Sequence, residues 1–140
     1  MAFKILNYNV EGRVGQNSTN VDTDVLLVRF LLKRLSQTSR FASTYGNLPL
    51  TPTFDNQLKE AILWFQKLVR QAGRPITVDG IVSPAPRGDG DYTINYLYRN
   101  YSKYYPQFRG DLDLDPNCPS ALKSVSRCSG YASDGSVVPA

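Results

Sequence analysis

Apolar residues recur at helical spacing in two stretches of this chain. Val25, Val28, Leu31, Leu32 and Leu35 fall on one face of a helix predicted from about Thr23 to Ser36, with Leu27 and Phe30 on its flank. Asp22 is placed to cap this helix and Asp24 to favour its positive end. Phe54, Leu58, Ala61, Ile62, Phe65, Leu68 and Val69 define a second helix, from about Phe54 to Gln71. Thr53 stands as its candidate cap, Gly73 sits just past its end, and Trp64 lies beside the stripe. Pro49 and Pro52 rule out a continuous helix between the two. A third helix is predicted from about Asp91 to Tyr101, with Ile94, Leu97 and Tyr98 inward and several tyrosines around them. Residues 3–10 form a short strand or an arm laid over the core, and Asp79-Gly80 reads as a turn.

The pattern thins after residue 105. Residues 106–140 are rich in Gly, Pro, Ser and Asp, so the expected organisation is a helical domain over 1–105 and an irregular C-terminal tail over 106–140. The predicted fold class is all-α: a three-helix bundle with a short N-terminal arm. Charge changes this little. The net charge is +4, with thirteen basic against eight acidic residues in 1–105, a surplus within the roughly 2 to 8 that solubility alone accounts for. Arg29, Lys33, Arg34 and Arg40 approach a helical row, but no aromatics are interleaved to stack bases, so no nucleic-acid partner is expected. The start of the chain lacks the apolar stretch of a secretory signal, and no segment has the roughly 20 apolar residues of a membrane span. The expected location is cytoplasmic by default, with action at a cell wall requiring phage or non-classical delivery.

Candidate chemistry is sparse. The chain has no histidine, which removes histidine-based triads and zinc hydrolases of the usual kind. Glu11, Glu60, Asp79 and Asp89 are the available carboxylates for a glycosidase pair, and each has a simpler role in a turn, a cap or an exposed helix face. No phosphate-binding glycine motif is present, so no cofactor is expected. Cys118 and Cys128 either close a short loop in an oxidising compartment or remain two thiols, and no metal site is expected from them. Asp111, Asp113 and Asp115 lack the glycine and terminal glutamate of a calcium loop. The chain is therefore read as a binding protein and not an enzyme.

Ala61-Ile62-Leu63-Trp64-Phe65-Gln66, followed by Val78-Asp79-Gly80-Ile81-Val82-Ser83-Pro84, resembles the peptidoglycan-binding domain of bacterial and phage cell-wall hydrolases. Asp24-Val25 with Val28 and Leu31-Leu32 matches the opening of that family's pattern, and Thr93 with Leu97 its third helix. The resemblance runs from about Asn20 to Tyr101. Arg29 stands where the family usually has Gln and Ser83 where it has Gly. The first Asp-Gly turn is missing from 46–54, and Ala85 to Tyr92 is an insertion. The resemblance implies a three-helix module that binds the glycan or stem peptide of peptidoglycan without catalysis. Trp64 and Tyr96 would stack on the ligand, and Arg29, Gln66 and Asp79 would offer hydrogen bonds beside Ile81 and Pro84. From its chemistry, Gln66 can hold either a loop or a ligand. The alternative is a protein–protein interaction or structural component of a phage particle or secretion apparatus using the same scaffold.

Overall fold

The first helix, α1 (Asp22–Ser36), is wrapped on all sides. Besides the expected stripe, Leu26, Leu27, Arg29 and Phe30 are also buried, so α1 is the axis of the bundle and not one wall of it. In this computed structural model, which describes residues 8–87 and 90–123, α1 packs against α2 (Asn56–Gln71), α3 (Thr93–Tyr104) and the short α4 (Ser120–Lys123). The fold is an all-α helical bundle, with four helices and no strands among the described residues.

α2 follows its sequence pattern closely. Leu58, Ala61, Ile62, Phe65, Gln66 and Val69 are its buried positions, three and four residues apart. The capping residue is Asp55 and not Thr53: its carboxylate accepts the Leu58 N–H at 2.9 Å. That bond, together with Arg29 nearby, holds the Asp55 carboxyl below its ordinary pKa. At the other end Gly73 has φ +90°, the Arg74 N–H reaches the Val69 carbonyl and the Gly73 N–H the Arg70 carbonyl. This paired closure needs a left-handed residue at Gly73. The start of α1 differs from expectation in a similar way. Asp22 makes no capping bond; instead Asp24 accepts the Glu11 and Gly12 N–H groups, each at 2.9 Å, and so fastens the N-terminal arm to the helix.

That arm is held at two more points. Asn9 presents its side-chain amide to Ala85 like a strand partner, donating to the Ala85 carbonyl at 2.8 Å and accepting its N–H at 2.9 Å. Val14 and Val82 form an isolated antiparallel bridge, with N–H···O distances of 2.9 and 2.8 Å. Tyr8, Val10 and Val14 are buried by this docking.

Packing does not stop at residue 105. Leu112, Asp115 and Leu122 are fully buried and Cys118 nearly so, so residues 106–123, expected as part of the tail, pack against the bundle as short turns and α4. Asp115 carries the attachment: its carboxylate accepts from Arg34 Nε at 2.9 Å, the Tyr101 hydroxyl at 2.8 Å and the Asn117 N–H at 2.9 Å. The Tyr98 hydroxyl donates to the Gly110 carbonyl, and the Tyr8 hydroxyl accepts the Leu112 N–H at 3.2 Å. Gly110 itself has φ +71°, and a Cβ there would stand 2.4 Å from the Tyr98 oxygen. Residues 124–140, including Cys128, lie outside the described residues, and with them the question of a Cys118–Cys128 loop.

Burial pushes the phenol of Tyr98 up to about 12, and raises those of Tyr8 and Tyr101 as well, the latter also through its bond to Asp115. The folded state therefore holds these protons more tightly than the unfolded chain. The stabilisation is complete below the ordinary tyrosine pKa of about 10 and drains away as pH rises toward 12. A spectroscopic titration is expected to show part of the phenolate signal appearing only together with loss of helical circular dichroism above pH 10. Smooth ionisation of every tyrosine with the fold intact would contradict this packing.

Candidate functional site

The candidate site is built around the Asp79-Gly80 turn, and Gln66 is its anchor. From the buried face of α2, Gln66 Oε1 accepts the Asp79 N–H at 3.1 Å and the Gly80 N–H at 2.8 Å. Its Nε2 lies 3.0 Å from the Ile81 carbonyl, 3.0 Å from Thr93 Oγ1 and 3.2 Å from Asp79 Oδ1. One amide thus joins α2, the turn and the first residue of α3. Gly80 has φ +71°, which an L side chain would resist. Asp79 closes the turn from within by accepting the Ile81 N–H at 2.9 Å. With Val82 bridged to Val14 and Ala85 held by Asn9, the segment from 79 to 85 is fixed along its length.

Two clefts open on this segment. One, of about 380 Å³, is lined by Thr77, Asp79, Ile81, Ser83, Asp91 and Thr93 among others. The other, of about 640 Å³, is lined by Asn9, Glu11, Pro84, Ala85 and Pro86. Tyr92 borders both and is 41% exposed, a large aromatic left facing solvent at the start of α3. Its position follows from local structure. Tyr92 is the residue just before the helix, where Asn95 Oδ1 accepts its N–H at 3.2 Å, so its side chain departs from the helix and does not join the buried face. The charged residues on these walls are Asp79 and Asp91 in the smaller cleft and Glu11 in the larger, all acidic.

The structure brings Asp79, Ile81 and Pro84 onto the walls of these clefts, with Gln66 buried beneath the turn, and places Arg29, Trp64 and Tyr96 on neither wall. Arg29 is wholly buried: it donates to the Pro49 carbonyl at 3.1 Å and the Thr53 carbonyl at 3.1 Å, and pairs with Asp55 at 3.2 Å. It holds the loop entering α2, because a buried guanidinium must be paired or hydrogen-bonded, and it reaches no surface where a ligand could meet it. Gln66 is likewise fully buried and engaged with the turn. Tyr96 is 7% exposed, its hydroxyl bonded to Asp91 and its ring under Arg99 at 4.6 Å. Burial and the Asp91 contact raise its pKa. Trp64 is half-buried against Tyr45, with ring centroids 5.3 Å apart, and lines neither cleft. Tyr92 is the residue that sequence reasoning passed over, since within a tyrosine-rich helix it looked like one more ring beside the core. The available signal was its place directly after the Gly- and Asp-bearing loop, where a helix starts.

No group of three or more metal-ligating side chains occurs among the described residues. No helix among them is long and apolar enough to cross a membrane. Fold and site together define a small helical bundle with a rigid turn and an open, acidic, aromatic-bordered groove. Comparison with models of protein families, with curated protein sequences and with solved structures gave no match.

Proposed function

We propose that this chain binds bacterial cell-wall peptidoglycan without catalysis, through the groove between the Asp79-Gly80 turn and Tyr92. The observation that carries the reading is Tyr92 itself, an exposed ring bordering two clefts whose walls are held rigid by Gln66 and Asn9. A flat aromatic with a polar tip suits the face of a sugar or a peptide. Beside it the carboxylates of Asp79 and Asp91 and the hydroxyls of Thr77 and Ser83 can accept the many O–H and N–H groups that such a polymer presents. The motif resemblance in α2 and the following turn supports the same assignment. A preformed groove also loses little conformational freedom on binding.

The test is cosedimentation with insoluble peptidoglycan. The intact chain is expected to pellet with the polymer, and Tyr92→Ala to weaken binding by roughly thirtyfold, about 2 kcal/mol for an aromatic anchor. Trp64→Ala should have a much smaller effect. The reverse order would move the ligand to the face carrying Trp64 and Tyr45. Absence of sedimentation by the folded protein would favour the protein-docking reading, in which the same groove takes a segment of a partner in a phage particle or secretion apparatus.

A further inference from the structure

A third cleft, of about 350 Å³, lies between the C-terminal turns of α2 and α3 and the loop after α1, and its charge is opposite to that of the groove. Four cations line it: Arg40, Arg74, Arg99 and Lys103, with no acidic residue among the lining side chains. All four are exposed, and none forms an ion pair among the described residues. Arg29, Lys33 and Arg34, the basic residues of α1, are different. Arg29 and Arg34 are paired with Asp55 and Asp115, and Lys33 donates to the Leu48 carbonyl at 3.0 Å. Four cations without an ion pair among the described residues, Arg40, Arg74, Arg99 and Lys103, thus meet at one cleft.

We infer that this cleft binds a small phosphoester whose non-phosphate body is flat or apolar. Helix ends offer a simpler explanation for basic residues, but they are too weak to account for this one. The C-termini of α2 and α3 present about half a negative charge each, some −1 against +4. The cations also do not bond those ends: Arg99 donates to the Gly90 carbonyl, outside any helix, while Arg40 and Lys103 lie 5.4 Å from the ring centroids of Phe41 and Tyr104. Guanidinium forks suit oxyanions, and a tetrahedral phosphate has more oxygens to share among several forks than a carboxylate has. The rest of the lining is mostly apolar or aromatic: Phe41, Leu68, Val69, Ala72, Tyr96 and Tyr104, with Asn100 the one further polar side chain. A bare phosphate would leave that surface wet, whereas a phosphoester with an aryl or alkyl body covers it. The volume is at the lower end of the roughly 300 to 1,000 Å³ of small-ligand pockets.

The experiment is calorimetric titration of the intact protein with phenyl phosphate, inorganic phosphate, benzoate and a short single-stranded oligonucleotide at low salt. Phenyl phosphate is expected to bind at least roughly tenfold more tightly than either inorganic phosphate or benzoate, since only it meets both walls and cations. The double variant Arg74→Gln/Lys103→Gln removes two exposed charges without touching the Arg99–Gly90 contact. It should melt like the parent and lose at least about tenfold in affinity, because each substitution removes a charge-assisted contact to the phosphate. Equal binding by parent and variant, or benzoate binding as well as phenyl phosphate, overturns the proposal. So does an oligonucleotide that outcompetes phenyl phosphate and is lost in the same variant, which would make the surface a polyanion track. Tyr92→Ala should leave phenyl phosphate binding unchanged, so this result stands or falls separately from peptidoglycan recognition.

Discussion

A chain ended after residue 105 is expected to lose its cooperative fold. The segment from 106 to 123 supplies Leu112 and Leu122, both fully buried, and each such side chain contributes roughly 1.5–3 kcal/mol. It also supplies the partners of three tyrosine hydroxyls that reach it from the arm and from α3: the Leu112 N–H for Tyr8, the Gly110 carbonyl for Tyr98 and the Asp115 carboxylate for Tyr101. The two leucines alone amount to about 3–6 kcal/mol, a large share of the roughly 5–15 kcal/mol by which a domain is stable. Thermal unfolding followed by circular dichroism should show a sharp transition for the intact chain and a broad or absent one for residues 1–105. Limited proteolysis of the intact chain should leave a fragment that extends past Asp115. A stable fragment ending near 105, melting at the parent's temperature, would show that the buried leucines and the Asp115 contacts contribute little.

This outcome is the reverse of what composition suggests, and the reason is physical. α2 was legible because six buried positions at spacings of three and four leave a periodic trace in one short window. The segment after 105 has no such period. Its few large side chains are held by partners far away in sequence: Leu112 by Tyr8, 104 residues earlier, and Asp115 by Arg34, 81 residues earlier. α1 was half legible. An apolar stripe was plain, but burial of the whole circumference depends on what covers the far side, and the covering comes from the 106–123 segment, the 44–47 turn and α3. The site shows the same division. Asp79, Ile81 and Pro84 belong to or closely follow a local turn whose glycine announces it, so their nearness to one another is readable from the sequence. Arg29 and Gln66 looked like ligand contacts because polar groups at matched positions do not reveal whether they point at solvent or at a loop's carbonyl groups. Only the paths of residues 49–55 and 79–81 decide that. Tyr92 is hidden from sequence because α3 starts at Thr93 and not at about Asp91, and that shift of two residues leaves Tyr92 just before the helix with its ring bordering the groove.

Gln66→Ala is expected to destabilise the protein by about 4 kcal/mol and to abolish the groove together with the peptidoglycan binding proposed for it. The substitution removes the acceptor of the Gly80 N–H and the donor to Thr93 Oγ1, both at buried residues. A buried group left without a partner costs roughly 1–3 kcal/mol, and the lost packing of a fully buried side chain adds to that. The Asp79 N–H and the Ile81 carbonyl are closer to solvent and recover water more cheaply. Gln66→Met separates volume from hydrogen bonding: it refills most of the space, so whatever loss remains measures the polar lock. Chemical denaturation gives the stability change, and sedimentation measured below the variant's unfolding midpoint gives the binding change. A loss under about 1 kcal/mol for Gln66→Met would mean that the turn keeps its shape without the amide. Undiminished sedimentation by a folded variant whose turn is released would mean that the polymer is held somewhere other than beside Asp79 and Tyr92, because a groove whose wall has come loose has to order it again on binding and lose affinity accordingly.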